Sequence, residues 1–273
     1  MKDKNIVISI IIPCFNHGIY IDDAINSIEE YNIENYEIII INDGSTDEYT
    51  NERLQALKSE GYNVIFQDNQ GLGKTRNNAI KLAKGKYILP LDADNKIRPD
   101  YIIKSVDILD KNSNISIVYS DRQCFGLSNS LIKVGEFAKE RFVDGNFIDA
   151  CAVFRKSLWE KVGGYDEKMP IQGWEDWDFW LMAIENNANF FYIPIPLFEY
   201  RVVDNSMIQR LNNSNTDDIL KYIYKKHSIF LIEELNNKYI KLEMQLANTK
   251  SSKAYKLGKF LLKPFTYIKN KYQ

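Results

Sequence analysis

Between Ile6 and Leu91, short runs of aliphatic and β-branched residues alternate with segments of helical spacing. The runs are Ile6–Ile12, Glu37–Ile41, Tyr62–Phe66 and Tyr87–Leu91. Between them lie Gly18–Glu30, Asp47–Glu60 and Leu72–Lys84, the first with Ile21, Ala24, Ile25 and Ile28 along one face. A strand that is apolar at nearly every position must be buried on both faces. Such strands, separated by helices, read as a parallel sheet covered on both sides. The expectation is an α/β fold of Rossmann-like type, with a mostly parallel sheet flanked by helices. In sheets of this kind ligands collect at the carboxyl ends of the strands, so the polar motifs that follow each run are the candidate site.

From Pro99 to about Tyr200 the rhythm loosens. A helix is expected over Asp100–Asp110, a strand over Ile115–Ser120 and a hairpin around Gly126–Asn129. A second αβ portion should run from Asn146 to Tyr200, with a helix from Trp174 to Asn187 and a strand over Phe190–Ile193. No Ser/Gly/Pro-rich linker divides these parts, so residues 1–215 read as one domain. Residues 216–273 read as a C-terminal helical extension with a basic amphipathic tail. Within it Ile232, Leu235, Tyr239, Leu242 and Leu246 form a heptad stripe, suited to docking a helix or to a homodimer through 228–248. From Lys250 to Gln273 the charged residues are all lysine, mixed with Leu, Phe and Tyr. That composition suits an anionic membrane surface as well as it suits a plain basic tail.

The net charge of -2 gives no global basic excess, so nucleic acid is not an expected partner. The three cysteines lack any C-x-x-C spacing, which argues against a disulfide framework or a zinc site. The N-terminal apolar run is short and meets Pro13, so it reads as a first strand and not as a leader. A cytoplasmic protein, peripheral at the inner face of the membrane if the tail binds there, is expected.

Four motifs carry candidate chemistry. Asp92-Ala93-Asp94 follows the run at Tyr87–Leu91. Residues i and i+2 of a strand point the same way, and two like charges so placed repel unless a cation meets them. Mg²⁺ or Mn²⁺ takes one or two carboxylates and completes its shell with phosphate. Asn42-Asp43-Gly44-Ser45-Thr46-Asp47 ends the second run, with Asp43 at the strand end and Ser45 or Thr46 placed to cap the next helix. Asn69–Asn77 contains Gly73-Lys74-Thr75, but a phosphate loop needs glycine where Asp68 stands. Its Lys74 and Arg76 instead lie at a helix start, where an anion is favoured. Gly173-Trp174-Glu175-Asp176-Trp177-Asp178 interleaves three acids with two tryptophans in a first helical turn. The acids suit the helix dipole. An aromatic wall beside one of them can also shield it from water and make it a better proton acceptor.

Taken in order, these motifs resemble the family-2 inverting glycosyltransferases of GT-A fold. The markers are Pro13-Cys14-Phe15-Asn16, Asn42–Asp47, Asn69–Asn77, Asp92-Ala93-Asp94, Val162–Asp166 and Glu175-Asp176, spread over residues 5 to 205. The resemblance implies that Pro13, Phe15 and Asn16 line a nucleotide pocket and that Asp43 contacts the base. Arg76 and Asp92 would serve the donor side, and Asp94 would meet a divalent cation. Asp176 would be the general base with Glu175 beside it, and Trp174 and Trp177 would shape the acceptor side. Many relatives carry a histidine in a Tyr-Arg-x-His pattern; here Val203 stands in its place, after Tyr200-Arg201-Val202. Arg201 is a candidate contact to the diphosphate. The histidines, His17 and His227, match no ligand spacing, and His17 reads first as a loop residue.

The implied reaction transfers a sugar, from UDP by preference, to an acceptor hydroxyl on a glycan or lipid-linked molecule, as in cell-surface polysaccharide synthesis. A sugar nucleotidyltransferase is a rival reading, but it would place a Gly-rich basic loop where PCFNHG stands. A non-catalytic nucleotide-sugar binding module is a second rival, set against by Glu175-Asp176. A nicotinamide dehydrogenase would need G-x-G-x-x-G after the first strand.

Overall fold

A computed structural model describes residues 6–29, 35–98, 100–204 and 217–260. The alternating segment folds as the sequence pattern requires. Strand β1 (Ile8–Cys14), helix α1 (Ile21–Glu29), β2 (Tyr36–Asp43), α2 (Glu48–Ser59), β3 (Asn63–Gln67), α3 (Leu72–Leu82) and β4 (Tyr87–Pro90) follow one another. β3, β2, β1 and β4 lie side by side in that order and are all parallel. Every residue of β1 is buried, as a strand covered on both faces must be. The first expected helix stops at Glu29, and Glu30 lies outside the described residues.

The rest of the chain extends the same sheet. β5 (Lys96–Ile97), α4 (Asp100–Lys111), β6 (Ile115–Gly126), β7 (Leu131–Ile132), a 3-10 turn (Lys139–Val143), β8 (Val153–Arg155), α5 (Lys156–Val162), α6 (Glu175–Glu185) and β9 (Asn189–Val202) follow. The sheet runs β3-β2-β1-β4-β8-β6-β9-β5, with β7 paired to β6. The long ladders are parallel, β6 with β9 included, while the antiparallel pairs are two residues long. The expected hairpin at Gly126–Asn129 is the β6–β7 turn. β6 and β9 both run well past their expected ends at Ser120 and Ile193. Register shifts between Ser120 and Arg122 let the long pair bend. β5, β8 and α5 were not foreseen, because two- and three-residue strands carry no readable period.

One N-cap differs from expectation. The residue that caps α2 is Asp47, whose carboxylate accepts the Thr50 N–H at 2.8 Å; Ser45 and Thr46 instead bond Asn16. The chain forms two compact units. The first compact unit runs to His227 and so includes α7 (Asp217–Lys226), where the expected division stood between 215 and 216. The second unit, from Ser228, contains α8 (Ser228–Ser251).

α7 is held by charge. Asp178 of α6 is fully buried and receives both Lys226 Nζ at 2.8 Å and His227 Nε2 at 2.9 Å. His227 Nδ1 faces Glu185 at 3.0 Å, about two turns further along α6 at its last residue. Lys226 Nζ also reaches Asp166 at 2.6 Å, and the Tyr222 hydroxyl donates to the same carboxylate at 2.7 Å. Removing one partner of a buried ion pair leaves a charge that neither water nor protein meets, at a cost of about 3 kcal/mol or more. His227→Ala leaves Lys226 on Asp178, so what is lost is the ring's hydrogen bonding, about 1–3 kcal/mol. The expectation is a lower urea midpoint at unchanged slope; an unchanged midpoint would show that the pair does not anchor α7.

Candidate functional site

The carboxyl ends of β1, β2 and β4 and the start of α6 supply the site. At its base is Arg76 of α3, a guanidinium with about 2% of its surface exposed. Its Nη2 donates to Asp92 Oδ1 at 2.8 Å, and its plane lies over the Tyr165 ring at 5.6 Å. Burial works against the charge, but Asp92, with Tyr165, Glu175 and Asp176 around it, outweighs burial and holds Arg76 above its usual pKa. Its Nε is buried without a partner, as are the Tyr165 hydroxyl and Trp174 Nε1. Buried donors are rarely left so, and a bound ligand would satisfy them.

Two devices bring α6 to Arg76. Asn77 bridges α3 to the Gly164–Asp166 turn: its Nδ2 donates to the Tyr165 carbonyl at 2.9 Å and its Oδ1 accepts the Tyr165 N–H at 2.8 Å. Gly73 keeps the α3 start bare, since a Cβ there would meet Glu175 Cγ at 3.2 Å and the Asp166 carbonyl at 3.3 Å. Glu175 is buried and accepts the Gly173 N–H at 2.8 Å; burial raises its pKa, and Arg76 opposes the rise. Asp176 has some exposed surface but dense surroundings. Burial, then Asp149, push its carboxyl up to about 7 against the pull of Arg76.

Asp94 stands two residues beyond Asp92. Burial and the Asp92 charge raise its pKa to about 6, while His17 and Arg201 oppose the rise. His17 Nδ1 lies 3.9 Å from Asp94 Oδ2, a closeness that motif spacing did not announce. Among the described residues, no three or more His, Cys, Asp and Glu side chains group closely enough to hold a metal by themselves. A closed zinc-type site is therefore not built here. A hard cation that takes one carboxylate and draws its other ligands from phosphate and water fits Asp94.

Several expected contacts take another form. Pro13 is buried inside β1, and Asn16 spends its side-chain oxygen on the Thr46 and Asp47 N–H groups at 2.8 and 3.0 Å. Phe15, at 45% exposure, is the one of the three that offers an open face. Asp43 is buried and accepts Gln67 Nε2 and the Gln70 N–H, both at 2.8 Å, and the Gly71 N–H at 3.0 Å. A carboxylate has about four lone-pair sites, so Asp43 chiefly shapes the loop before α3 and keeps one site for a base. Trp177 is buried, with its ring edge-on to Tyr224 of α7, so it packs the helix and does not wall the acceptor side. Trp174 is half-buried, with its ring centroid 5.5 Å from that of Trp177. Arg201 lies between Tyr20 and Phe125, donates its Nε to the Asp94 carbonyl at 2.8 Å and pairs with Asp23. It fixes the Asp92–Asn95 turn, its own N–H donating to Asn95 Oδ1 at 2.9 Å.

The comparisons with known proteins bear on the family and the fold. Residues 9–163 match the sequence model of Glycosyl transferase family 2. An uncharacterized glycosyltransferase of Rickettsia prowazekii is 31% identical over 77% of this chain and 66% of its own length. Chondroitin synthase of Escherichia coli is 29% identical over 66% of this chain, which covers 26% of the synthase. The crystal structure of S. aureus TarS 1-349 in complex with UDP-GlcNAc superposes with a TM-score of 0.67 at 17% identity, over 82% of this chain and 66% of that one. The chain thus spans just under two thirds of the TarS chain and about a quarter of the synthase.

The carboxyl of Asp176 generates a stability prediction. Its folded pKa, about 7, lies above the unfolded carboxylate value, so the native state holds the proton more tightly. The stability tied to that proton is present below about pH 4 and is lost as pH rises toward 7. Asp176→Asn removes the penalty, so it should raise the melting temperature more at pH 8 than at pH 5. An equal shift at both pH values would show that Asp176 ionises normally.

Proposed function

Since the chain belongs to glycosyl transferase family 2 and has its GT-A fold, we propose that it moves a sugar from a UDP-sugar to an acceptor hydroxyl in one inverting displacement. The observation that carries this reading is the gathering of Asp92, Glu175 and Asp176 around the buried Arg76. TarS was crystallised with UDP-GlcNAc, and the chondroitin synthases act in polysaccharide synthesis, which supports a uridine donor and a glycan or lipid-linked acceptor.

The residues divide the work by position. Phe15 offers its open face to the base, and Asp43 its remaining lone pair. Arg76, aimed past Asp92, stabilises negative charge on the donor side; preorganised positive charge at a developing anion is commonly the largest catalytic contribution. A divalent cation held by Asp94 would add Lewis-acid charge at the diphosphate. Asp176 takes the proton of the acceptor hydroxyl as that oxygen attacks the anomeric carbon, and the nucleoside diphosphate leaves from the opposite side. A carboxylate with a pKa near 7 is a competent base at neutral pH. Trp174 stands beside it for the acceptor.

The C-terminal helix belongs to the same proposal. Ile232, Leu235, Tyr239, Leu242 and Leu246 are all exposed along α8, as a surface for a second copy requires. Among the described residues no helix is long and apolar enough to cross a membrane. Attachment to an anionic surface would rest on the segment from Lys250, of which residues 261–273 lie outside the described part.

The assay is release of UDP from UDP-glucose, UDP-galactose or UDP-N-acetylglucosamine, with Mn²⁺ or Mg²⁺ and with EDTA. Asp176→Asn should lower transfer by about 10²–10⁴-fold while UDP still raises the melting temperature. Pyrophosphate release from a nucleoside triphosphate and sugar phosphate would favour the nucleotidyltransferase, and UDP-sugar binding without turnover the binding module. Asp94→Ala should remove the dependence of UDP binding on Mn²⁺; a variant that keeps the wild-type dependence would exclude a cation at Asp94.

A further inference from the structure

The loop between the 3-10 turn and β8 is riveted to α6 at two levels. Asn146 Nδ2 donates to Asp176 Oδ2 at 2.7 Å, and one turn further Trp180 Nε1 donates to the Ile148 carbonyl at 3.0 Å. The amide of Asn146 has a defined orientation. Its oxygen accepts the Ile148 N–H at 3.1 Å, so its NH₂ is the group that faces the carboxylate. The other oxygen of Asp176 accepts the N–H of Trp177 at 2.8 Å. Each carboxylate oxygen thus has one protein donor, and neither donor can accept a proton.

We propose that Asn146 is the positioning residue of the base: its amide, able only to donate, holds Asp176 in one rotamer and in its ionised form, so that the free lone pairs of the carboxylate meet the acceptor hydroxyl. The inference rests on Asp176 being the base. No sequence motif marked Asn146, which lies 30 residues before its partner in an irregular loop.

The electrostatic setting explains why such a donor is needed. Facing Asp176 are Asp149 from the same loop, Glu175 from α6, Tyr165 from the turn before it and Arg76 from α3. Asp149 is itself committed: its Oδ1 accepts the Cys151 N–H at 3.0 Å and its Oδ2 lies 3.3 Å from Arg122 Nη1. Two acids and burial oppose ionisation of Asp176, and one guanidinium, already bonded to Asp92, supports it. A hydrogen bond that the ionised form accepts more strongly offsets part of that cost.

The experiment measures kcat and KM against pH for the full chain with its best UDP-sugar, for wild type, Asn146→Ala, Asn146→Ser and Asn146→Asp, each checked by thermal melting. Hydrogen bonds to a charged partner are commonly worth about a tenfold to hundredfold factor in an equilibrium. Asn146→Ala should therefore move the acid limb of kcat up by about one pH unit. At pH 7 it should lower kcat about tenfold, with KM for the donor nearly unchanged. Asn146→Ser, which keeps a shorter donor, should fall between. Asn146→Asp, which puts a third acid against Asp176, should move the limb furthest. If the Ala variant melts early, the Ser and Asp variants give the same ordered shift in the limb. An acid limb that stays in place in all three variants overturns the proposal, even if activity falls. Asp176→Asn separates the two readings: if that variant transfers sugar normally the base assignment itself fails, whereas if it is dead and the limb is unmoved in the Asn146 series, this inference alone fails.

Discussion

A guanidinium sealed into an αβ core must be met by charge, and Arg76 organises the site for that reason. Several kcal/mol would be lost by leaving such a cation unpaired. Asp92 meets it directly at 2.8 Å, and Tyr165, Glu175 and Asp176 crowd its other sides. These groups come from the end of β4, from the turn after α5 and from α6, which are distant in sequence. The parallel sheet brings the first within reach because β4 lies beside β1, directly under α3. Asn77, the neighbour of Arg76, brings the second by bonding both polar groups of Tyr165. One turn of α3 therefore fixes both the donor side and the base side of the cleft.

The half of the fold built on fully apolar strands was legible because burial on both faces leaves no alternative pairing surface. β1, β2 and β3 fall within two residues of their expected bounds at each end. β8 and α5 escaped notice because the signal of a three-residue strand and a seven-residue helix is shorter than one readable period. For the site, the D-x-D pair, Arg76 and Glu175-Asp176 were visible as motifs at strand and helix ends. His17 and Asn146 were not, since each acts across a loop through one contact that no spacing encodes.

The acids of the Trp174–Asp178 segment show how one helical turn serves two purposes. In a helix, residues two apart point about 200° away from each other. Asp176 and Asp178 must therefore face different neighbours. Asp176 turns to Asn146 and the cleft, and Asp178 turns to Lys226 and His227, where it anchors α7. Trp177 follows the anchoring side and packs on Tyr224. It is the contacts that separate the three acids: Asp178 is taken up by Lys226 and His227, while Glu175 and Asp176 stay near Arg76.

The same periodicity links stability to chemistry. Asp178 is met by Lys226 and His227 and contributes to holding α7 on α6. Asp176 sits among Asp149, Glu175 and a shared Arg76, so its ionised form is disfavoured in the folded state. Nearby, Arg76 Nε, Tyr165 OH and Trp174 Nε1 are buried without partners. A fold optimised for stability alone would neutralise the one and satisfy the others. These costs are concentrated at one end of the sheet, where a ligand with acceptor oxygens would satisfy the buried donors. The rigid Asp178 anchor is what allows the adjacent turn to carry that strain, because α6 cannot rotate away from Arg76 without breaking buried ion pairs at its other face.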